Sequence, residues 1–251
     1  MRIFNTHYAQ RILFLMIVSG FWFSACRNVD PVENPVVSKA AKEYDNEVAF
    51  KWTELFLEVE RYAAGYRPGS APRALGHMGL AAYEGCVQGM EDFNSLAPLY
   101  ANLNIPQPEK GVQYHYPTIV NASYAYLMPR FFGKATPKQI DDMKNLQNYF
   151  DQKGRAEVST EIFDRSKKYG EAVASAVWEW SLTDRISTGN TNDVYLDPFA
   201  GYNWEDKYRK NGDWRPTFPG PGRGMYPSWG QARPFALKES QKLCRPPLPY
   251  S

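Results

Sequence analysis

Apolar residues recur every three or four positions along most of residues 46–182, which is the spacing of one buried helix face. The clearest run extends from Asn46 to Tyr66 and consists of Val48, Trp52, Leu55, Phe56, Val59, Tyr62, Ala63 and Tyr66. No stretch of comparable length alternates with the period of two that a half-buried strand requires. The spacing therefore predicts an all-α protein built as a helical bundle.

Breaks and capping signals divide this region into about five helices. The predicted helices cover residues 46–66, 70–90, 117–132, 137–152 and 160–182. Ser70 is the expected N-cap of the second helix, and Thr136-Pro137-Lys138-Gln139 has the form of a capping box before the fourth. Pro129 lies in the last turn of the third helix and is expected to kink or end it there. Either Ser159 or Thr160 caps the fifth.

The second predicted helix is unusually rich in small residues, namely Ala74, Gly76, Gly79, Ala81, Ala82, Gly85 and Gly89. Each glycine weakens a helix by about 1 kcal/mol relative to alanine, so their presence needs a reason. Small residues let a neighbouring helix approach closely. We therefore expect the second helix to be central and buried.

Residues 198–251 have a different character, with nine prolines and six glycines. Proline lacks a backbone N–H donor, so regular structure is largely excluded here. Trp204, Trp214 and Trp229 recur through the segment, which argues against a disordered tail. We expect an irregular but ordered segment whose aromatic side chains pack onto the bundle.

The N-terminus has the features of an export signal. Arg2 and Arg11 precede or flank Ile12–Phe23, an apolar run of twelve residues. A membrane-spanning helix needs about 20 such residues, whereas a signal peptide needs fewer. The run ends in Phe23-Ser24-Ala25-Cys26, which resembles a bacterial lipobox and implies lipid attachment at Cys26. An ordinary secretory signal with an incidental cysteine is the alternative.

These observations give a predicted domain organisation and location. The segments are a signal peptide (1–25), a tether (26–45), a helical bundle (46–197) and an irregular joining segment (198–251). The expected protein is exported and held by its lipid at a membrane, on the periplasmic or outer-membrane side.

Charge and cysteine content exclude several classes of protein. The 29 Lys and Arg residues nearly balance 27 Asp and Glu residues, giving a net charge of +2. A nucleic-acid-binding protein would carry a larger excess of positive charge, so no nucleic-acid partner is expected. Three cysteines cannot form a disulfide framework, and none has the spacing of a zinc site.

Histidines are scarce, which limits the available chemistry. His7 lies in the signal, and His77 is interpreted as a buried helix residue hydrogen-bonded to a neighbour. His115 is expected in a packing or surface role. Glu84 and Glu91 share the helix of His77, but no second histidine follows at the spacing of a metalloprotease motif. A metal hydrolase based on His77 and Glu84 is therefore a minor alternative.

Other polar motifs have ordinary interpretations. Asp141-Asp142 and Lys167-Lys168 are expected on solvated helix faces. Gly220–Gly224 is glycine-rich but lacks the Lys-Ser/Thr ending of a P-loop. No catalytic, cofactor-binding or metal-binding residue is assigned from these patterns.

Two blocks of the sequence resemble the bacterial vanadium-dependent haloperoxidases, which belong with the type 2 phosphatidic acid phosphatase superfamily. In the first block, Trp52–Gly89, the matching residues are Arg61-Tyr62, Pro72-Arg73-Ala74, His77 and Ala82-Tyr83-Glu84. In the second, the matching residues are Trp214-Arg215-Pro216-Thr217, Pro227-Ser228-Trp229-Gly230 and Arg233-Pro234-Phe235-Ala236-Leu237. The resemblance implies the N-terminal half of such a protein and the segment that joins its two helical halves.

The family's oxyanion site follows three later motifs: Lys-x6-Arg-Pro, Pro-Ser-Gly-His and Ser-Arg-x5-His-x3-Asp. This sequence has no histidine after His115 and no Pro-Ser-Gly-His. Lys238 and Arg245-Pro246 match the first motif literally, but they lie in a proline-rich stretch, whereas the family's motif lies later and on a helix. We interpret this match as coincidental.

The resemblance therefore implies a scaffold half, inactive by itself, of an enzyme that hydrolyses phosphoryl groups or oxidises halide with bound vanadate. No cofactor is expected in this chain. The intact enzyme would bind vanadate if it is a haloperoxidase and no cofactor if it is a phosphatase. The expected partners are a C-terminal catalytic half or a second copy of this chain. The alternative is a complete, non-enzymatic helical lipoprotein that binds a glycan or a partner protein.

Overall fold

A computed structural model describes residues 39–63, 69–184 and 232–242. Within these ranges there are five α-helices and no strand: α1 Glu47–Tyr62, α2 Ser70–Cys86, α3 Tyr116–Phe131, α4 Pro137–Glu157 and α5 Thr160–Leu182. Short 3-10 turns occur at Ala41–Glu43, Val87–Gly89, Ala97–Leu99 and Glu239–Gln241. The predicted all-α class is confirmed. Cys26, the signal peptide and residues 198–231 lie outside the described residues.

The central element of the bundle is α3, which packs against each of the other four helices. The prediction that the small-residue helix α2 would be central is wrong, although α2 is largely buried. The reason lies in composition, since Arg130 is the only charged residue of α3. A helix without a charged face is best accommodated in the middle of a bundle.

Glycines set the spacing between α3 and its neighbours. A Cβ placed on Gly170 of α5 would lie 2.5 Å from the backbone oxygen of Ile119. A Cβ on Gly85 of α2 would lie 2.6 Å from Cγ2 of the same isoleucine. Both helices therefore approach α3 more closely than any larger residue would permit.

The helix ends follow the predicted capping signals in two cases out of three. The Thr136 hydroxyl accepts a hydrogen bond from the Gln139 N–H (3.3 Å), and the Gln139 side chain accepts one from the Thr136 N–H (2.8 Å). Ser159 caps α5 by accepting from the Ile162 N–H at 3.4 Å. Ser70, in contrast, is the first helical residue of α2, and Gly69 occupies the cap position.

Three predicted boundaries also shift. Helix α1 ends at Tyr62 instead of the predicted Tyr66. The α-helical part of α2 ends at Cys86, and the chain continues to Gly89 as a 3-10 turn. Helix α4 extends to Glu157, beyond the predicted end near Gln152. The extension contains Gly154, which is buried because α3 and α5 pack there: a Cβ on it would meet Thr118 at 2.6 Å and Phe163 at 3.2 Å.

A buried polar network crosses the interior between α1, α3, α4 and α5. Asn121, fully buried in α3, accepts from Trp52 Nε1 (2.8 Å) and donates to Asp151 Oδ1 (2.9 Å). The second oxygen of Asp151 pairs with Lys167 Nζ at 2.5 Å. The prediction of a solvated face holds for Lys168, which is exposed, and only in part for Lys167. The ion pair holds the Lys167 side chain against the network and leaves it 27% exposed.

No helix in the described part of the chain is both long enough and apolar enough to cross a membrane.

Candidate functional site

The bundle is joined to the segment 232–242 by a polar cluster, which we call the junction and define as the buried Arg73 and Asp184 with the half-buried Arg233. Arg73 Nη1 on α2 donates to the backbone oxygen of Arg233 at 2.8 Å, across 160 residues of sequence. The Arg233 N–H donates to Asp184 Oδ1, also at 2.8 Å. These bonds bring together the two sequence blocks that carry the family resemblance.

Asp184 is the anion at the centre of the junction. It lies just after α5, is 2% exposed, and forms an ion pair with Arg73. Arg233 donates from its guanidinium to the Trp180 backbone oxygen (3.2 Å) and the Thr183 hydroxyl (2.5 Å). The same guanidinium lies 4.0 Å from the centre of the Trp180 ring. Both arginines are therefore bonded to groups of the bundle.

Phe235 fits into an aromatic socket beside the junction. Its ring centre lies 4.9 Å from that of His77, edge to face, and the Arg73 guanidinium carbon is 5.3 Å from it. Gly76 leaves room for the ring, because a Cβ there would lie 3.2 Å from it. The Tyr100 hydroxyl donates to the Phe235 backbone oxygen at 2.9 Å. The predicted packing of C-terminal aromatics onto the bundle is observed at this residue.

His77 is a buried, neutral histidine, as the sequence predicts. Its Nδ1 donates to the Arg73 backbone oxygen at 3.0 Å, and its ring stacks on Phe131. Burial, followed by the positive charges of Arg73 and Arg233, lowers the pKa of His77 to about 3. Nε2 has no hydrogen-bond partner among the described residues. Protonation at this atom would place an uncompensated charge in the core.

This environment predicts a pH-dependent stability. The folded-state pKa is lower than the ordinary value of 6.5, so the unfolded chain binds the proton more readily. The stabilisation is complete above pH 6.5 and is lost progressively as the pH falls toward 3. Between pH 7 and pH 5 this histidine alone should reduce the free energy of unfolding by about 2 kcal/mol.

Urea titrations at pH 7 and pH 5 test this prediction when wild type is compared with His77→Asn. Asparagine keeps a donor near the position of Nδ1 but does not titrate. The loss of stability on acidification should therefore be smaller in the variant by about the same 2 kcal/mol. An equal loss in both proteins would place the pH sensitivity elsewhere.

Two arginines beside a histidine suggest an oxyanion site, but the residues present do not fit vanadate or phosphate. Asp184 neutralises Arg73, and Arg233 is engaged by Trp180 and Thr183. His77 is completely buried, so an anion from solvent cannot reach its ring in this arrangement. The junction is therefore an anchor for the C-terminal segment.

Glu84, a residue of the metal-hydrolase alternative, stabilises a loop. Its Oε1 accepts from the Leu96 N–H (2.7 Å) and the Ala97 N–H (3.2 Å), and its Oε2 accepts from the Ser95 hydroxyl (2.7 Å). The carboxylate thus holds the N-terminus of the turn at Ala97–Leu99. The described ranges contain no group of three or more His, Cys, Asp or Glu residues arranged to hold a metal ion. Glu91 is exposed.

His115 fixes the start of α3 to two other helices. Its N–H donates to the Ser166 hydroxyl (2.7 Å), and its ring bonds Thr118 (2.7 Å) and Glu157 (3.0 Å). Burial is the main cause that lowers the pKa of His115, with Glu157 acting in the opposite direction. The ring borders a cavity of about 180 Å³ in which Lys153 pairs with Glu47. The predicted packing role is confirmed.

Sequence reasoning missed Asp184 and could not place Arg233 opposite Arg73. No local pattern marks an aspartate at a helix end as the partner of residues far along the chain. Lys238 is exposed, and its N–H donates to Gln241 Oε1 at 2.8 Å. Arg245-Pro246 lies outside the described residues, as do the tryptophans 204, 214 and 229.

Comparison with known proteins identifies the fold type. The described helices have a haloperoxidase-like fold, and the match is to the crystal structure of a bacterial vanadium-dependent iodoperoxidase, described as the first of its kind. The two are 24% identical in sequence with a TM-score of 0.59, over 82% of this chain. The chain spans 46% of the length of that protein. No family model and no curated protein matches the sequence.

Proposed function

We propose that the helical unit is the scaffold half of an exported enzyme of the haloperoxidase and acid-phosphatase type. The observation that carries this proposal is the junction. Arg73 and Arg233 belong to the two resembling blocks, and Asp184 holds them together inside the bundle. A segment anchored in this way has a fixed position and direction, as a connection between two packed halves requires.

In this proposal the chemistry belongs to a C-terminal half. Phosphoryl hydrolysis or vanadate-dependent halide oxidation would occur there, because this sequence lacks Pro-Ser-Gly-His and has no histidine after His115. The helical unit supplies packing surface, and the chain alone is inactive.

The test is whether the full chain binds vanadate or turns over substrate. We expect no broadening of the ⁵¹V NMR signal of orthovanadate, no oxidation of iodide by peroxide, and no hydrolysis of p-nitrophenyl phosphate. The bacterial iodoperoxidase is the positive control in the same buffers. Saturable vanadate binding with iodide oxidation by this chain would refute the assignment as an inactive scaffold.

The proposed partner surface includes the outer face of α1. Phe50 and Leu57 lie seven residues apart on one side of this helix and are 54% and 51% exposed. Large apolar side chains at such positions favour contact with another protein surface. We propose that the surface meets the C-terminal half, with a second copy of this chain as the alternative and no role for nucleic acid.

The lipoprotein proposal makes a separate prediction. Lipid attachment at Cys26 should place the protein in the membrane fraction and make it incorporate radioactive palmitate in a bacterial host. Replacing Cys26 with serine should abolish the label, because serine lacks the thiol that receives the lipid. Cys244→Ser is the matched control and should remain labelled. Equal labelling of the wild type and the Cys26→Ser protein would rule out this attachment site.

A further inference from the structure

A second cavity lies between α2, α3, α5 and the loop that precedes α3. Its volume is about 460 Å³, and its walls include Gln88, Gln107, Tyr114, Tyr116, Ile119 and Tyr169. Small-molecule sites commonly range from about 300 to 1,000 Å³. This cavity shares no lining residue with the cavity beside His115, and no residue of the junction lines it.

The loop that forms one wall is held in place by three hydrogen bonds. The Glu109 N–H donates to the Tyr114 hydroxyl (3.0 Å), and the Tyr169 hydroxyl donates to the Pro106 backbone oxygen (3.3 Å). Arg165 Nη1 donates to the backbone oxygen of Gln113 at 2.9 Å. The wall is therefore ordered before any ligand arrives, which reduces the entropic cost of binding.

The cavity combines an aromatic surface with neutral hydrogen-bonding groups. Tyr116 is partly exposed, and burial raises the pKa of its phenol, so its hydroxyl stays protonated. The amides of Gln88 and Gln107 stand at the rim and can both donate and accept. Glu109 and Lys110, adjacent in sequence, carry opposite charges that cancel. An uncharged ligand with several hydroxyls matches this lining best.

We propose that this cavity binds a neutral saccharide of one or two rings. The C–H face of a sugar ring would stack on Tyr116, while the amides of Gln88 and Gln107 would bond its hydroxyls. Gln107 Nε2 donates to the Ile105 backbone oxygen at 3.4 Å, which leaves its carbonyl oxygen for a ligand. A purely apolar ligand would make no use of these hydrogen-bonding groups, and a charged ligand would meet no net opposite charge. The site rests only on the described bundle, so it stands or falls independently of the scaffold proposal.

Saturation-transfer NMR with cellobiose and the full chain tests the proposal. We expect a saturable signal at the sugar protons. Gln88→Ala should weaken binding by about three- to tenfold, the contribution of one hydrogen bond. Gln88 is exposed, so this substitution should leave the fold unchanged. Tyr116→Ala should weaken it by about tenfold or more, because the stacking surface is removed.

Tyr149→Ala is the matched control, since Tyr149 is an exposed tyrosine of α4 that does not line the cavity. Circular dichroism shows whether each variant retains its helices. Loss of cellobiose binding in the folded Gln88→Ala and Tyr116→Ala proteins, with retention in Tyr149→Ala, supports the site. No saturable signal, or equal binding in all variants, would overturn it.

Discussion

Replacing Asp184 with alanine is expected to reduce the free energy of unfolding by about 3–5 kcal/mol, the cost of breaking a buried ion pair by removing one partner. Asp184 and Arg73 are 2% and 7% exposed at their side chains, so water cannot replace the lost carboxylate. The Arg233 N–H loses its acceptor in the same step. Urea unfolding followed by circular dichroism measures the change.

Two further variants separate the ion pair from a general effect of mutation. Asp164→Ala removes an exposed partner of Arg155 and should change the stability by less than about 1 kcal/mol. Adding Arg73→Met to Asp184→Ala should restore part of the lost stability, because the uncompensated buried charge is then also removed. An Asp184→Ala protein that unfolds at the wild-type urea concentration would contradict the burial of this cluster.

The second large effect is expected at Gly170. A methyl group there would lie 2.5 Å from Ile119 O and 3.0 Å from Ile119 Cα, both backbone atoms that cannot rotate away. Helices α3 and α5 would have to separate, exposing part of the core. We expect Gly170→Ala to cost about 3 kcal/mol, the upper end of the usual range for overpacking. Thermal and urea unfolding provide the measurement.

The same glycine-to-alanine change at Gly79 is expected to increase the free energy of unfolding. Gly79 is exposed on α2, and a Cβ there would meet no atom within 4 Å. Alanine should therefore stabilise the protein by about 0.5–1 kcal/mol through its higher helix propensity. A stabilising effect of Gly170→Ala would contradict the close approach of α3 and α5 at this residue.

Local patterns predicted which segments form helices. The stripes of α1 and α5, and the capping signals at Thr136 and Ser159, act within a few residues and need no knowledge of the rest of the fold. Positions that depend on neighbouring helices were less predictable. Helix α4 continues past its last apolar stripe residue because Gly154 packs against Thr118, a contact between separate helices. The central place of α3 likewise depends on which surfaces meet.

The junction could be predicted only in part. The family resemblance selected the segments around Arg73 and Arg233, and the small residues of α2 indicated that the helix carrying His77 is buried. Asp184 has no distinguishing local context, and its importance arises from two arginines that approach it through folding. The ion pair of Lys167 was unpredictable for the same reason. Two adjacent lysines indicate solvent exposure, and the partner Asp151 lies on another helix.

The central claim, that this chain is the scaffold half of a larger enzyme, is tested most directly by reading the gene for several hundred bases beyond the codon for Ser251. The account predicts that the same frame, or one displaced by a single base, continues into Lys-x6-Arg-Pro, Pro-Ser-Gly-His and a late histidine. A stop codon followed by an unrelated gene would contradict it. That result would favour a complete, non-enzymatic lipoprotein that binds a glycan or a partner protein.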